Sequence, residues 1–150
     1  MWFDKQWFAW IRDALVLTVK DYRRAIDYLD TRADIDTSRI GVIGYSLGGI
    51  AALQLAAVEP RLRVAVSCVG GLDEPWLFPI APINLAPQLG RLPLLLLGGR
   101  ADPLASESKM RALNNAIVGN NHQIVFFASG HQLPPAYADT AAAWLAAKMR

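Results

Sequence analysis

The stretch from Arg39 to Ala57 constrains this chain more than any other part of it. A β-branched run, Arg39-Ile40-Gly41-Val42-Ile43, leads into Gly44-Tyr45-Ser46-Leu47-Gly48. A small-residue stretch, Gly49-Ile50-Ala51-Ala52-Leu53-Gln54-Leu55-Ala56-Ala57, follows directly. The first run reads as a buried strand and the last as a helix. Strand, sharp turn and helix form the setting in which G-x-S-x-G presents a serine. The turn predicts a sparsely populated backbone conformation at Ser46, which lifts its Oγ above the end of a sheet. Glycine is expected at both 44 and 48 because a Cβ at either would collide with the adjoining strand or helix.

The rest of the chain supplies a matching rhythm. Residues from about Asp4 to Asp30 read as one long helix, with Ile11, Leu15, Val19, Tyr22, Ile26 and Leu29 at three- and four-residue spacing. Its first half, with Trp2, Phe3, Trp7, Phe8 and Trp10, is apolar on more than one face, so a covering surface is expected. Val64–Val69, Leu92–Leu97 and Gln123–Phe127 are further apolar runs. Helical patterns separate the last two, around Ser106–Ile117, and close the chain from about Pro135. Continuously apolar strands alternating with helices indicate a parallel sheet of about four strands, covered by helices on both faces. The fold class is therefore α/β, and 150 residues suit a single domain, 1–150. Residues 70–91 break the rhythm, with Pro75, Pro79, Pro82 and Pro87 among large apolar residues. They read either as packed cover or as a short lid over an acyl pocket, with Trp76 and Phe78 as candidate walls beside Tyr45.

A serine hydroxyl is a poor nucleophile without a base that is itself oriented by a third group. The chain has two histidines. His131 follows the fourth strand, at its C-terminal end, whereas His122 precedes that strand and falls at the opposite end of the sheet. Asp102 follows the third strand in Gly98-Gly99-Arg100-Ala101-Asp102-Pro103. Ser46, Asp102 and His131 thus all fall at C-terminal ends of parallel strands, in the order Ser, Asp, His that such sites use. Asp73, after the second strand, is a weaker substitute for the acid.

These segments resemble the C-terminal half of an α/β-hydrolase. Asp21–Leu29 and Asp34–Gly41 are similar to the helix and turn before the nucleophile strand of esterases related to dienelactone hydrolase and acetyl xylan esterase. Leu94–Leu104 and Gly130-His131 resemble the acid and histidine segments of the same family. Dienelactone hydrolases themselves carry cysteine at the nucleophile, so Ser46 points to the esterase side. Leu47 after the serine points away from the prolyl-peptidase branch, which carries an aromatic residue there. The resemblance implies a serine carboxylesterase acting on small acyl esters through Ser46, His131 and Asp102, with the Leu47 N–H as one oxyanion donor. It implies no cofactor and no metal.

It also implies a truncated α/β-hydrolase fold, because the segment that carries the family's second oxyanion donor has no counterpart here. Weakened catalysis is one expectation from this, and a fragment acting as a structural or dimerisation module is the alternative reading. The strand Ile40–Ile43 would then form a bare sheet edge, and a homodimer through that edge and the aromatic N-terminal helix is expected.

Composition narrows the partners. Fifteen basic and thirteen acidic residues give a formal charge of +2, without blocks of one sign, so no nucleic-acid footprint is expected. No apolar stretch is long enough to span a bilayer, and no basic segment precedes an apolar one at the N-terminus, so the cytoplasm is expected. The one cysteine, Cys68, lies within an apolar strand and reads as a small buried hydrophobe.

Overall fold

The apolar runs become the strands of one parallel sheet. The computed structural model describes residues 5–74 and 77–149. In chain order the elements are α1 (Lys5–Leu29), β1 (Ile40–Tyr45), α2 (Leu47–Val58), β2 (Leu62–Cys68), α3 (Pro82–Leu89), β3 (Leu94–Gly99), α4 (Glu107–Ala116), β4 (His122–Phe127) and α5 (Ala136–Lys148). The strands lie side by side in sequence order, β1-β2-β3-β4, all parallel.

Strand position explains strand composition. The inner strand β3 is buried along its whole length, and β2 at every position but Arg63. Both are therefore nearly uniform apolar runs. The edge strand β1 alternates instead. Gly44 faces α2, while on the other face Gly41 lies against Leu145 and Met149 and Tyr45 packs on Tyr137. Successive side chains of a strand point to opposite faces, so α2 and α5 cover opposite sides of the sheet. The cover on the α5 side is incomplete, and Ile43 is 49% exposed.

Helix α2 is apolar all round, with nine of its twelve residues buried between β1, β2, α1 and α3. Leu53 at its centre is fully enclosed and packs with Val66, Leu94 and Leu96 in the main core. Enclosing a leucine of this kind stabilises the fold by about 1.5–3 kcal/mol.

Two elements differ from the sequence expectation. Helix α1 buries only a stripe, including Ile11, Leu15 and Ile26, and leaves Trp10 67% exposed with Leu17 and Tyr28 also outside. Within the single chain its described aromatics Trp7 and Trp10 are therefore not enclosed, and Trp2 and Phe3 lie outside the described residues. The proline-rich stretch is not a plain loop, because it contains α3. Pro82 opens that helix, where its missing N–H costs nothing and its fixed φ suits the first turn. Leu77 and Ala81, just before it, pack with Ile11, Leu15, Ile50 and Ala51 in a second apolar cluster.

A buried carboxylate ties α1 to the turn after α2. Glu59 is 1% exposed, and its oxygens accept from Arg61 Nε and Nη2 at 2.7 and 2.8 Å, and from Arg23 Nε at 3.2 Å. Arg61 also reaches Asp27 and Asp30 on the α1 side, both at 2.8 Å. Its guanidinium draws the Glu59 carboxyl down from 4.5 to about 2. The depressed value means that this contribution is complete above about pH 4.5 and fades as pH falls toward 2. Both arginines are partly in water, so it amounts to about 2 kcal/mol. Glu59→Gln should therefore be less stable than the parent at about pH 6, with the gap closing at about pH 2.5. Urea unfolding at the two pH values measures it, and a gap independent of pH would contradict the assignment.

Among the described residues, no helix is long and apolar enough to cross a membrane.

Candidate active site

Ser46 lies between β1 and α2 with φ 55° and ψ −118°, a left-handed conformation that non-glycine residues rarely adopt. Holding it there costs on the order of 1–3 kcal/mol. Two backbone bonds oppose that cost. Ser46 N donates to Cys68 O at 2.9 Å, and Ser46 O accepts from Ile50 N at 3.0 Å. The turn is tight enough that a Cβ on Gly44 would stand 1.9 Å from Gly48 O. One on Gly49 would stand 2.7 Å from Cys68 O. Gly48 differs from the expectation, since a Cβ there would meet open space. The steric demand falls on Gly44 and Gly49.

Asp102 sits in the turn after β3 with its side chain fully enclosed. Its Oδ1 accepts from Leu104 N at 2.8 Å and Ala105 N at 3.1 Å. Its Oδ2 lies 2.8 Å from His131 Nδ1. The other ring nitrogen, His131 Nε2, lies 2.8 Å from Ser46 Oγ. A carboxylate only accepts, so Nδ1 carries the proton and Nε2 is left to accept from the serine hydroxyl. Three residues from the ends of β1, β3 and β4 thus form one hydrogen-bonded chain. Such a chain can deprotonate a hydroxyl as it attacks a carbonyl.

The amide of Leu47 opens α2, where the first N–H groups of a helix lack intrahelical partners and the helix dipole favours negative charge. His122 begins β4, at the end of the sheet away from this site. Cys68, whose carbonyl accepts from Ser46 N, is itself buried, and burial pushes its thiol up to about 11, so it stays a neutral thiol at physiological pH. Among the described residues, no His, Cys, Asp and Glu cluster could hold a metal ion.

A cavity of about 260 Å³ opens over Ser46 and His131. Its walls come from Trp7 and Ile11 of α1, Leu47 and Ile50 of α2, Val69 and Leu72 after β2, and Leu104 and Ala105 beside the acid. Apart from Ser46 and His131 the lining is apolar. Two of the candidate walls named from sequence, Tyr45 and Phe78, do not line this cavity. Phe78 is 67% exposed and outside this lining. Tyr45 turns to the histidine loop, and Trp76 lies outside the described residues. The walls of this cavity are scattered along the chain, and in sequence only the apolar start of α1 hinted at a surface to cover. Val69 is the least legible of them. It holds φ 48°, an outlier for a β-branched residue, with its N–H bonded to Leu97 O at 2.7 Å. In sequence it is only one more strand valine.

The model of the dienelactone hydrolase family matches residues 6–143. The chain belongs to the dienelactone hydrolase family. One similar relative is the "Probable 2-oxo-3-(5-oxofuran-2-ylidene)propanoate lactonase" of Bradyrhizobium sp, 35% identical over 97 residues that make up 63% of this chain and 38% of the relative. Acetyl xylan esterase 1 from Thermoanaerobacterium sp. JW/SL YS485 superposes with a TM-score of 0.72 at 21% identity, covering 88% of this chain and 52% of that one. An esterase of Pyrococcus furiosus gives 0.74 at 18% identity, covering 88% and 62%. This dienelactone hydrolase family chain thus covers between 38% and 62% of the length of these three proteins. The two solved structures share its α/β-hydrolase fold.

Proposed function

We propose that the chain is a serine esterase for small, uncharged acyl esters. The observation that carries this reading is the continuous bond chain Ser46 Oγ–His131 Nε2 and His131 Nδ1–Asp102 Oδ2, each 2.8 Å. Ser46 Oγ attacks the ester carbonyl as His131 Nε2 takes its proton, and Asp102 holds the imidazole and stabilises its charged form. The carbonyl oxygen becomes an oxyanion, received by the Leu47 N–H at the start of α2. The intermediate collapses as His131 returns the proton to the departing alcohol, leaving an acyl-serine. Water, deprotonated by the same histidine, then attacks the acyl-serine, and Ser46 recovers its proton as the acid leaves. A lactone is an internal ester and would open by the same steps, which accords with membership of the dienelactone hydrolase family.

The apolar lining of the cavity supports the choice of acyl group. A carboxylate placed against Ile50, Val69 and Leu72 would lose water without gaining a partner. The purified chain should therefore hydrolyse p-nitrophenyl butyrate at least about tenfold more efficiently, in kcat/KM, than the p-nitrophenyl monoester of succinate. A preference for the anionic ester would contradict the acyl assignment. Failure to hydrolyse either ester above the rate in buffer would contradict the esterase reading itself.

A further inference from the structure

Ser46 and His131 come from opposite edges of the sheet. β1 and β4 are separated by β2 and β3, so their axes are three strand spacings, about 14 Å, apart. The histidine loop must therefore lean back over the inner strands to bring Nε2 within 2.8 Å of Ser46 Oγ. On its acid side the loop is anchored by Ala101 N donating to Ser129 O at 2.9 Å and by the Asp102–His131 bond.

On the nucleophile side it is anchored by one oxygen. The Tyr45 hydroxyl donates to His131 O at 2.7 Å and accepts from Leu133 N at 2.8 Å. It thereby satisfies both backbone groups that flank Gln132. Its ring is set edge-on against Tyr137 of α5, with centroids 5.4 Å apart, so the phenol has a fixed direction. Tyr45 is also the residue directly before Ser46. One side chain thus links the backbone of the base to the backbone of the nucleophile, independently of the bond between their side chains.

We propose that Tyr45 is a positioning residue, whose hydroxyl sets the distance and angle between His131 and Ser46. The proposal rests on the esterase reading for its kinetic consequence, but not for its geometric one. A misplacement of about 1 Å between reacting groups can cost about 10²-fold in rate. Tyr45→Phe keeps the ring on Tyr137 and removes both bonds to the loop. Its kcat on p-nitrophenyl butyrate should fall about 10- to 100-fold, with KM within about twofold of the parent. Replacing Tyr45 with 4-aminophenylalanine, which again offers a donor on the same ring, should restore part of the loss. This second variant also carries the test should the phenylalanine variant not fold.

The low-field proton resonance of His131 Nδ1–H against Asp102 gives a readout free of turnover. It should be sharp in the parent and broadened or lost in Tyr45→Phe, with the thermal midpoint showing that the variant is folded. A kcat within about twofold of the parent overturns the proposal. A raised KM at constant kcat also overturns it, because Tyr45 would then contact substrate. If the parent shows no turnover that depends on Ser46, the esterase reading falls. The resonance then decides the role of Tyr45 alone, and its persistence in the variant would refute that role.

Discussion

Ser46→Ala is expected to lower kcat for p-nitrophenyl butyrate by about 10⁴- to 10⁶-fold, leaving the fold intact. The substitution removes the atom that forms the new bond, so nothing downstream of it can occur. The strained backbone at Ser46 is held by main-chain bonds to Cys68 and Ile50, which alanine keeps. Circular dichroism and the thermal midpoint should therefore stay close to those of the parent. Whatever rate remains would come from the Leu47 amide and the cavity polarising an ester toward water. Equal rates for the two proteins would place the chemistry elsewhere.

Asp102→Asn is expected to lower kcat by about 10⁴-fold with little change in KM. The loss follows from donors and acceptors rather than from packing. Asp102 uses Oδ1 for Leu104 N and Ala105 N and Oδ2 for His131 Nδ1. An asparagine that keeps its oxygen on the two amides turns its NH₂ toward His131. Nδ1 must then accept, the proton moves to Nε2, and the imidazole can no longer receive the proton of Ser46. Steady-state kinetics on the purified variant measure the effect. A loss of less than about tenfold would mean that another group orients the histidine.

The features of this fold legible in sequence are those that depend on short-range chemistry. The strand, elbow and helix around Ser46 are written in consecutive residues. Asp102 and His131 could be found because strand ends and chain order are also local features. The continuous apolar runs predicted a parallel sheet because inner strands such as β3 have no solvent face. What escaped depends on tertiary approach. Trp7 and Ile11 reach the cavity only because α1 lies across α2. Prolines read as breakers hid α3, although Pro82 sits where a helix accepts it. Gly48 matched the motif, yet the neighbours of a Cβ there cannot be read from a pattern. The aromatic character of Tyr45 suggested a pocket wall, and only the positions of His131 O and Leu133 N reveal a hydrogen-bonding task.

Activation of Ser46 by His131 has a chemical readout that needs no substrate. A fluorophosphonate probe forms a stable bond with activated serine hydroxyls, and peptide mass spectrometry locates the label. One label per chain is expected, on Ser46, and none on the same peptide of His131→Ala. Ester turnover with Ser46 unlabelled, or a label on another residue, would contradict that activation.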